Sequence, residues 1–582
     1  MARLVLGPLL RYTDETSATV WVETDAACTV EVLGHRARTF CVAGHHYALV
    51  VVTGLQPASS TEYGVALDGT SVWPEPGSEW PASTIRTTRP EEEVRVAFGS
   101  CRVTAPHGRK QNRRPFWRPR ALGVDALAAL AARMRATPEA ATGTWPDVLL
   151  MLGDQVYADQ ASPGVVAWIE EHRDVHQGPR DGVANFEEYT QLYREAWSDP
   201  AVRWLLSTVP SAMVFDDHDI HDDWNTSHAW RQEKQGADWW HDRIVGGLAS
   251  YWLYQHLGNL DPEALESEQL HARLQQVDDG WPLLEEFAVA ADAEADGEKG
   301  YRWSYRRDVG RTRLVVVDSR CGRILEGDRR LMASRAEWNW IVEQCRHEDE
   351  VDHLVLATSL PVLLPAAIHH VEAWNEAICQ GARGPRAARL GERFRQLADL
   401  EHWAAFGDSF RAMTGLLAAV GAGELGPPPV TVSVLSGDVH YAYVAEARFP
   451  EERGVQSRVH QIVCSPLRNP VQRVIQLVDR FARTPTGRRV GEAMSRSVGV
   501  PPLELDWALT DGPWFQNNLG TLSLRGDEAQ LVVESAWTPD GDAELLQTVL
   551  DRSLCRTALG DLPAQTPPAA EDAHAVGSSV TT

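Results

Sequence analysis

Residues 147–159 read DVLLMLGDQVYAD, an apolar run that ends in Gly-Asp and is followed by a tyrosine and a second aspartate. A short apolar run bounded by a turn signal predicts a buried strand. Besides DVLLMLG (147–153), the same pattern predicts strands at VRVAFGS (94–100), SAMVF (211–215), TRLVVVD (312–318), HLVLATS (353–359) and VTVSVLSG (430–437). Segments with helical periodicity separate these runs, at 122–136, 184–197, 239–257, 334–346 and 386–404. Strands that alternate with helices predict an α/β fold.

Side chains that bind metals follow four of these strands. They are Cys101 after the first, Asp154 and Tyr157 after the second, Asp216, Asp217, His218 and Asp219 after the third, and Asp438 and His440 after the last. In layered α/β sheets, sites form beyond the carboxyl ends of the strands. Clustered carboxylates repel one another unless cations neutralise them. The sequence therefore predicts a metal site with more than one ion at one edge of the sheets.

The chain divides into unequal parts. Residues 1–88 contain short alternating runs at 18–24, 28–34, 45–55 and 61–69, which predict an all-β sandwich with Tyr63 as a tyrosine corner. A linker rich in Pro, Ser and Glu leads to an α/β domain over 93–545, in which the acidic segment 261–299 is expected to be an exposed insertion. The Ala-, Pro-, Ser- and Thr-rich stretch 558–582 is predicted to be a disordered tail.

Composition narrows the function classes. Hydrophobic residues make up 43% and charged residues 23% of the chain, and the net charge of -26 predicts that neither nucleic acid nor an anionic membrane is a partner. The mean hydropathy is -0.30, and the longest mostly apolar stretch, 354–368, is broken by Thr358, Ser359 and two prolines, so we expect no transmembrane helix. We see neither a signal peptide nor a twin-arginine motif, and the eight cysteines include no CxxC pair, so we expect reduced thiols and a cytoplasmic location.

Four segments together resemble one family. FGSC (98–101), GDQVYAD (153–159), DDHDIHDDWN (216–225) and SGDVHYA (436–442) are similar to motifs of the PhoD-like alkaline phosphatases, a branch of the calcineurin-like metallophosphoesterases. The resemblance implies a metallophosphoesterase four-layer sandwich, with two mixed β-sheets flanked by helices. It also implies that the N-terminal sandwich is a fibronectin-III-like domain.

The resemblance implies a dinuclear or trinuclear metal centre. Asp154 would bridge the metals, and Cys101, Tyr157 and His440 would complete the ligands of the first, for which thiolate and phenolate favour Fe(III). The implied ligands of the second metal are Asp217 and Asp438. Their hard oxygen atoms suit Ca(II), and other divalent metals fit the same description.

The resemblance also implies which residues are catalytic and which bind substrate. His218 would be the acid that protonates the leaving oxygen, and Asp219 could orient it. The candidate substrate residues are Asn225, Asp223, Arg102 and Arg320. Guanidinium groups match phosphate oxygens, although Arg320 could instead form a buried pair with a carboxylate. Asp223 belongs to an Asp-Asp pair that stands where other members of the family often have asparagine.

The predicted function is metal-dependent hydrolysis of small-molecule phosphate esters, in which a metal-bridged hydroxide attacks phosphorus in line. One alternative is a phosphodiesterase that acts on nucleotides or phospholipid headgroups. A second is a binding protein that holds metal without turnover. A third is an iron redox enzyme that uses Cys101 and Tyr157. The sequence leaves the natural substrate and the oligomeric state open.

Overall fold

The structure of the chain is a computed structural model. It describes residues 1–88, 93–105, 122–137, 144–180, 182–298, 300–326, 330–348, 351–471, 473–538 and 544–555. The predicted tail at 558–582 lies outside these residues. Residues 89–92 also lie outside them, so the domain boundaries at 88 and 93 stay predictions.

The N-terminal region is all-β, as its alternating sequence predicted. Its strands are β1 Leu4–Thr13, β2 Ala18–Thr24, β3 Thr29–Val32, β4 His35–Arg38, β5 Phe40–Val42, β6 His45–Val52, β7 Ser60–Tyr63, β8 Val65–Leu67, β9 Thr70–Trp73 and β10 Ser83–Arg86. They form four-stranded sheets in the orders β1-β2-β6-β5 and β4-β3-β8-β9, and a β10-β7 pair. Inward-facing residues such as Val20, Val30 and Val50 make a separate core between the sheets.

A six-stranded mixed sheet begins the α/β part. Its strands are β11 Val94–Gly99, β12 Val148–Leu152, β13 Ser211–Val214, β21 Asn518–Arg525, β22 Glu528–Trp537 and β23 Leu545–Ser553. The order is β13-β12-β11-β21-β22-β23. β11, β12 and β13 are parallel, whereas β21 pairs antiparallel with β11. The three parallel strands therefore end at one edge.

A seven-stranded mixed sheet completes the pair that the resemblance predicted. Its strands are β14 Tyr305–Val309, β15 Thr312–Val317, β16 His353–Thr358, β17 Thr431–Ser436, β18 Ala442–Arg448, β19 Arg458–Val463 and β20 Asp506–Trp514. The order is β14-β15-β16-β17-β19-β18-β20, in which β15, β16, β17 and β19 are parallel. Nearly every residue of these four strands is buried, as expected for strands covered on both faces.

Helices accompany the two sheets. They are α1 Ala126–Ala136, α2 Pro163–His172, α3 Phe186–Trp197, α4 Pro200–Thr208, α5 His228–Gln235, α6 Trp240–Ser250, α7 Pro262–Ser267, α8 Gln269–Leu274, α9 Trp281–Asp292, α10 Arg335–Cys345, α11 Ala366–Cys379, α12 Pro385–Leu397, α13 Gly407–Gly421, α14 Arg473–Ala482 and α15 Pro485–Ser497. Side-chain caps start several of them; Asp125, for example, accepts a hydrogen bond from Leu127 N. Within the described ranges, no helix combines the length and apolarity that crossing a bilayer requires.

The segment 261–299 is not the exposed insertion that we expected from its acidic composition. It contains α7, α8 and α9, and Leu274 and Leu284 are fully buried. Gly280 N donates a hydrogen bond of 2.8 Å to Cys41 O in the sandwich. Apolar residues spaced three or four apart stabilise these helices, and the surrounding carboxylates hide that spacing in the sequence.

The sandwich docks on the α/β part through polar groups that are buried. Arg11 is fully buried, and its Nη1 and Nη2 donate to Tyr254 O at 2.7 Å and Gln255 O at 2.6 Å. These carbonyls belong to a π-helical turn at Tyr251–His256. Tyr63 Oη donates to Ser207 O at 2.6 Å, so it reaches into α4 rather than back into the sandwich as a tyrosine corner would.

The carboxyl ends of the two sheets meet around Ser100. Leu467 N, after β19, donates to Ser100 O at 2.7 Å, and Asp438 N, after β17, donates to Ser100 Oγ at 3.1 Å. A Cβ atom on Gly437 would clash with the Ser100 side chain, so only glycine allows this approach. The loops after β11, β12, β13 and β17 are thereby brought to one place.

Candidate metal centre

The predicted metal ligands form two overlapping groups. Cys101, Asp154 and His440 each offer a ligand atom within 4.8 Å of the others. Asp154, Asp216 and Asp217 do the same. Because Asp154 belongs to both groups, its carboxylate lies where it could be shared by two neighbouring ions. The four strand ends therefore converge as the sequence analysis expected.

Backbone geometry at the site is unusual. Six non-glycine residues there have φ in the left-handed region, which most side chains avoid. They are Cys101 (56°), Asp154 (50°), Asp223 (64°), Asn225 (59°), Asp438 (67°) and His440 (59°). Gly153 also has φ of 111°, and a Cβ atom there would lie 2.6 Å from Asp216 Cβ. The surrounding packing holds these strained turns in place.

The group around Cys101 is called the thiol half. Cys101 is fully buried, and its Sγ lies 3.2 Å from Ser465 Oγ and 3.1 Å from Ser100 Oγ. Burial, together with the nearby charges of Asp154 and Asp438, raises the pKa of the Cys101 thiol well above its ordinary value. A bound cation would reverse this effect, since it stabilises the thiolate.

Tyr157 joins the thiol half through hydrogen bonds. Its Oη donates to Asp154 Oδ2 at 3.2 Å and accepts from Asn469 Nδ2 at 3.0 Å. The Tyr157 ring centroid lies 4.7 Å from that of His218. The phenol is therefore directed at the shared carboxylate, as a metal ligand in this position requires.

The group formed by Asp216, Asp217 and Asp438 is called the carboxylate half. Arg320, which is fully buried, lies at its centre and pairs with Asp216. Its Nη2 is 3.3 Å from Asp217 Oδ1 and 3.3 Å from Asp438 Oδ1, and Nη1 pairs with Glu401. Of these four carboxylates, Glu401 also lies 3.4 Å from Arg323 Nη1, and Asp438 also lies 3.0 Å from His402 Nε2. Asp216 and Asp217 share Arg320 alone among the described ion pairs, so the cluster retains negative charge that a cation could neutralise.

Two orphaned atoms support a cation at this place. Asp154 Oδ1 and Asp216 Oδ2 are buried carboxylate oxygens without a hydrogen-bond partner among the described residues. A buried carboxylate oxygen without a partner is costly unless a cation contacts it. The donor set of thiol, phenol, imidazole and carboxylates is one that binds transition metals and hard cations. The residues present therefore fit the metal centre that the resemblance implied.

Two family models match parts of the chain. A family model described as PhoD-like phosphatase matches residues 129–278, which include Asp154, Tyr157, Asp217 and His218. This stretch is similar to the PhoD-like phosphatases. A second family model, a domain of unknown function (DUF7800), matches residues 1–85. None of the curated proteins matches the chain.

A solved structure titled "Structure of PhoD" has the same fold over nearly the whole chain. Its TM-score is 0.56 at 12% identity, and the match covers 94% of this chain and 90% of that one. A maltogenic amylase from S. marinus reaches a TM-score of 0.16 at 9% identity, covering 91% of this chain and 76% of that one, which carries no argument. The PhoD-like family match and the shared fold support a phosphoric ester hydrolase.

His218 is held by a different carboxylate from the one we expected. Its Nδ1 lies 2.9 and 3.0 Å from the two oxygens of Asp159. Asp219 Oδ1 accepts from Val156 N at 3.3 Å and Gln255 Nε2 at 3.1 Å, and its Oδ2 accepts from Asp216 N at 2.9 Å. The expectation that Asp219 orients His218 is therefore corrected.

Asp159 and Asp219 have different electrostatic environments. Burial lowers the pKa of His218, but the nearby Asp159 and Asp217 carboxylates outweigh it and raise that pKa well above its ordinary value. Burial alone would raise the pKa of Asp159, but its contact with His218 outweighs burial and lowers that pKa. Burial raises the pKa of Asp219 to about 7. His218 and Asp159 thus form an ion pair, whereas Asp219 braces the turn that carries the ligands.

Two of the residues that we predicted to bind substrate form hydrogen bonds to other groups of the protein instead. Arg102 Nε donates to Asp125 Oδ2 at 2.9 Å, and its Nη1 donates to Ala196 O at 2.8 Å. Asn225 is 1% exposed; its Nδ2 donates to Arg320 O and its Oδ1 accepts from Arg231. Both predictions are corrected, because buried protein partners occupy these side chains.

The other two predicted substrate residues, Arg320 and Asp223, both contact the carboxylate half. Arg320 forms the buried pair with carboxylates that we considered as the alternative to phosphate binding. Asp223 is half-buried, and its N donates to Asp217 Oδ2 at 2.9 Å. Burial and the nearby Glu401 and Asp399 charges raise the pKa of Asp223 to about 9. Asp223 is therefore the predicted substrate residue that lies partly open beside a ligand.

The sequence analysis missed a third histidine at the site, besides His218 and His440. His402 Nε2 lies 3.0 Å from Asp438 Oδ2, and its Nδ1 lies 2.6 Å from Glu372 Oε1. We predicted that a helix continues to residue 404, whereas α12 ends at Leu397, so His402 follows the helix and faces the site. A prediction that ends the helix at Leu397 would have placed His402 in the loop that follows it. Asn469, on the loop after β19, carried no signal beyond its position after a strand.

Proposed function

We propose that this chain hydrolyses phosphate esters at a two-metal centre in which Asp154 is the shared ligand. The observation that supports this most is the position of Asp154 between the thiol half and the carboxylate half, with one oxygen lacking a protein partner. Two cations held there would supply the bridged hydroxide for in-line attack and neutralise charge on the phosphoryl oxygens. The ligands are Cys101, Asp154, Tyr157, Asp217, Asp438 and His440.

His218 supplies the proton in this proposal. Asp159 holds the Nδ1 side of the imidazolium, which leaves Nε2 as the proton donor to the leaving oxygen. Breaking the bond between phosphorus and that oxygen transfers the Nε2 proton to the departing alcohol, and water later restores it. Asp222, whose Oδ1 lies 3.5 Å from Nε2, is the nearest carboxylate on that side. Burial of the ion pair strengthens this arrangement because little water screens it.

The metal types follow from the donor sets. We assign Fe(III) to the thiol half and Ca(II) to the carboxylate half, since thiolate and phenolate favour the first and carboxylates the second. The eight cysteines are free, which is consistent with the cytoplasmic location that we predicted. The proposed substrate is a small phosphate ester, and nucleic acid is not proposed as a partner of this acidic chain.

The proposal is tested with Asp154→Asn. Hydrolysis of aryl phosphate monoesters and diesters should fall at least about a hundredfold, and bound metal should decrease in elemental analysis. The control is Asp278→Asn, which changes an exposed carboxylate on the loop before α9 and should behave as wild type. Equal turnover by Asp154→Asn and wild type contradicts the proposal. Stoichiometric metal without hydrolysis of any ester would favour the metal-containing binding protein.

A further inference from the structure

Exposed apolar side chains concentrate on two helical segments beside the site. Fourteen large hydrophobic side chains are exposed in the described part of the chain, and eight of them lie in 383–397 and 475–497. These eight are Leu390, Phe394, Leu397, Ile475, Leu477, Val478, Phe481 and Val490. Leu390, Leu397 and Leu477 are 66%, 84% and 64% exposed. A clustered set of this kind marks an interaction surface, whereas scattered single residues do not.

The same two segments are basic in a strongly acidic protein. Segment 383–397 has five arginines and one glutamate, and segment 475–497 has five arginines and two acidic residues, although the whole chain has a net charge of -26. Five of these arginines are exposed and form no ion pair with another described residue. They are Arg386, Arg389, Arg393, Arg480 and Arg489. Together with the eight apolar residues they define the basic–apolar surface.

The two segments neighbour one another through α11. Phe394 on α12 lies 6.4 Å, ring to ring, from Trp374 on α11, and a Cβ atom on Gly491 of α15 would meet His370 on α11 at 3.0 Å. Arg383 Nη2, just before α12, donates to Ser497 O at the end of α15, at a distance of 2.6 Å. The basic–apolar surface is thus built on one group of packed helices.

This surface is next to the candidate metal centre. Glu372, on α11, contacts His402, which contacts Asp438. The helix α14 starts four residues after Asn469, whose amide contacts Tyr157. The basic–apolar surface is therefore carried by helices that are linked to the candidate metal centre through Glu372 and through the loop that holds Asn469.

We propose that the basic–apolar surface docks the protein on an anionic lipid bilayer. Exposed arginines are attracted by anionic headgroups, and exposed Leu, Ile, Val and Phe side chains insert at the boundary with the acyl chains. A hydrated polyanion would use the arginines but would leave the apolar residues without a role. A second copy of the same surface would bring arginines against arginines, which opposes self-association. An anionic bilayer matches both properties. This proposal departs from the expectation from net charge that no anionic membrane is a partner, because the positive charge is concentrated on these two segments.

Binding to vesicles tests this inference separately from hydrolysis. Wild-type protein should co-sediment with phosphatidylglycerol vesicles much more than with phosphatidylcholine vesicles. Raising the salt from about 0.1 M to about 1 M should weaken binding, because the Debye length falls from about 10 Å to about 3 Å. Failure of the proposed function leaves this result unchanged, because lipid binding needs no turnover.

Variants locate the binding surface. Leu390→Ser with Phe394→Ser, and separately Leu477→Ser with Phe481→Ser, should each reduce the partition coefficient at least about tenfold. Each of Arg386→Gln, Arg389→Gln and Arg393→Gln should reduce it about fivefold. The controls are Val289→Ser, 45% exposed on α9, and Arg194→Gln, exposed on α3, which should bind as wild type. Thermal unfolding of every variant confirms that these surface changes leave the protein folded.

Three results would overturn the inference. The first is that wild-type protein fails to bind phosphatidylglycerol vesicles. The second is equal binding by the surface variants and the controls. The third is a wild-type dimer in sedimentation velocity that the leucine and phenylalanine variants convert to a monomer without any loss of lipid binding, which would assign the surface to self-association.

Discussion

Two fully buried arginines hold distant parts of this chain together, and their surroundings are opposite. Arg11 joins the sandwich to the α/β part, where it contacts the neutral oxygens Ser211 O, Tyr254 O, Gln255 O and Asn259 Oδ1. Burial lowers the pKa of Arg11 to about 9. Arg320 contacts only carboxylates in the candidate metal centre, and these outweigh burial and raise its pKa well above the ordinary value.

The difference separates a structural contact from a functional one. The partners of Arg11 are dipoles with fixed positions, so a divalent cation has nothing to add there. The partners of Arg320 carry more negative charge than one guanidinium neutralises, so cations and Arg320 act on the same carboxylates. The stability lost on replacing Arg320 should therefore depend on whether metal is bound, whereas the stability lost on replacing Arg11 should not.

The largest expected effect is that of Arg320→Met. Removing the guanidinium leaves the buried carboxylates Asp216 and Asp217 without their counter-charge, which should lower the free energy of unfolding by about 3–5 kcal/mol in metal-free protein. Added divalent cation should restore much of that loss. Urea unfolding with and without Ca²⁺ measures both values. A loss of the same size under the two conditions would remove the distinction between the arginines.

Arg11→Met is the matched change at the domain interface. It leaves buried carbonyl and amide oxygens without a donor, so we expect a loss of about 3 kcal/mol. The same urea unfolding should show no recovery on addition of cation. Turnover per folded molecule should stay near that of wild type. Recovery by cation would show that the sandwich interface is coupled to the metal centre.

The third prediction compares two aspartates near His218, Asp159 and Asp219. Asp159→Asn removes the charge that holds His218, and we expect kcat to fall about a hundredfold with little change in KM. Asp219→Asn should mainly lower stability, because an amide cannot accept all three hydrogen bonds that Asp219 accepts. Steady-state kinetics and urea unfolding of both variants give the result. A larger loss of kcat in Asp219→Asn would reverse the two assignments.

The smallest effect is a pH dependence at the sandwich interface. Burial lowers the pKa of His45, but its hydrogen bonds to Glu187 and Glu23 outweigh it and raise the pKa to about 9. A raised folded-state pKa stabilises the fold fully below about pH 6.5 and loses that contribution as pH rises through about 9.

His45→Gln measures that contribution. Wild type should exceed the variant by about 1 kcal/mol in free energy of unfolding at pH 6, a value reduced for solvent screening. The difference should vanish by about pH 10. Urea unfolding across this range tests the sign. A difference that grows with pH would contradict the ion pairs that we assign to His45.

The strand ends were predictable from the sequence because their pattern is local. β12 covers Val148–Leu152 where the apolar run predicted 147–153, and β17 covers Thr431–Ser436 where it predicted 430–437. Polar residues directly after such runs could therefore be placed at one sheet edge before any coordinates were known. Parallel strands that end together then explain why Asp154 and Asp217 meet.

Partner choice was less predictable because it depends on distant residues. Asp159 and Asp219 are both aspartates near His218 in the motifs, and only the turn geometry decides that Asp159 contacts its Nδ1. Arg102 was interpreted as a phosphate contact because its partner Asp125 lies 23 residues away. His402 was hidden by a helix pattern that stops earlier than its composition indicated.

The residues with left-handed backbone conformation at the metal centre also limit how the stability of this protein can be increased. A residue such as Cys101 or His440 in that conformation stores about 1–2 kcal/mol of backbone strain, which glycine would release. Selection for heat resistance alone should therefore favour glycine at those two positions, and each such replacement would remove a predicted ligand. A thermostable relative made by consensus or directed evolution must leave these strained turns intact and find its extra stability elsewhere in the fold.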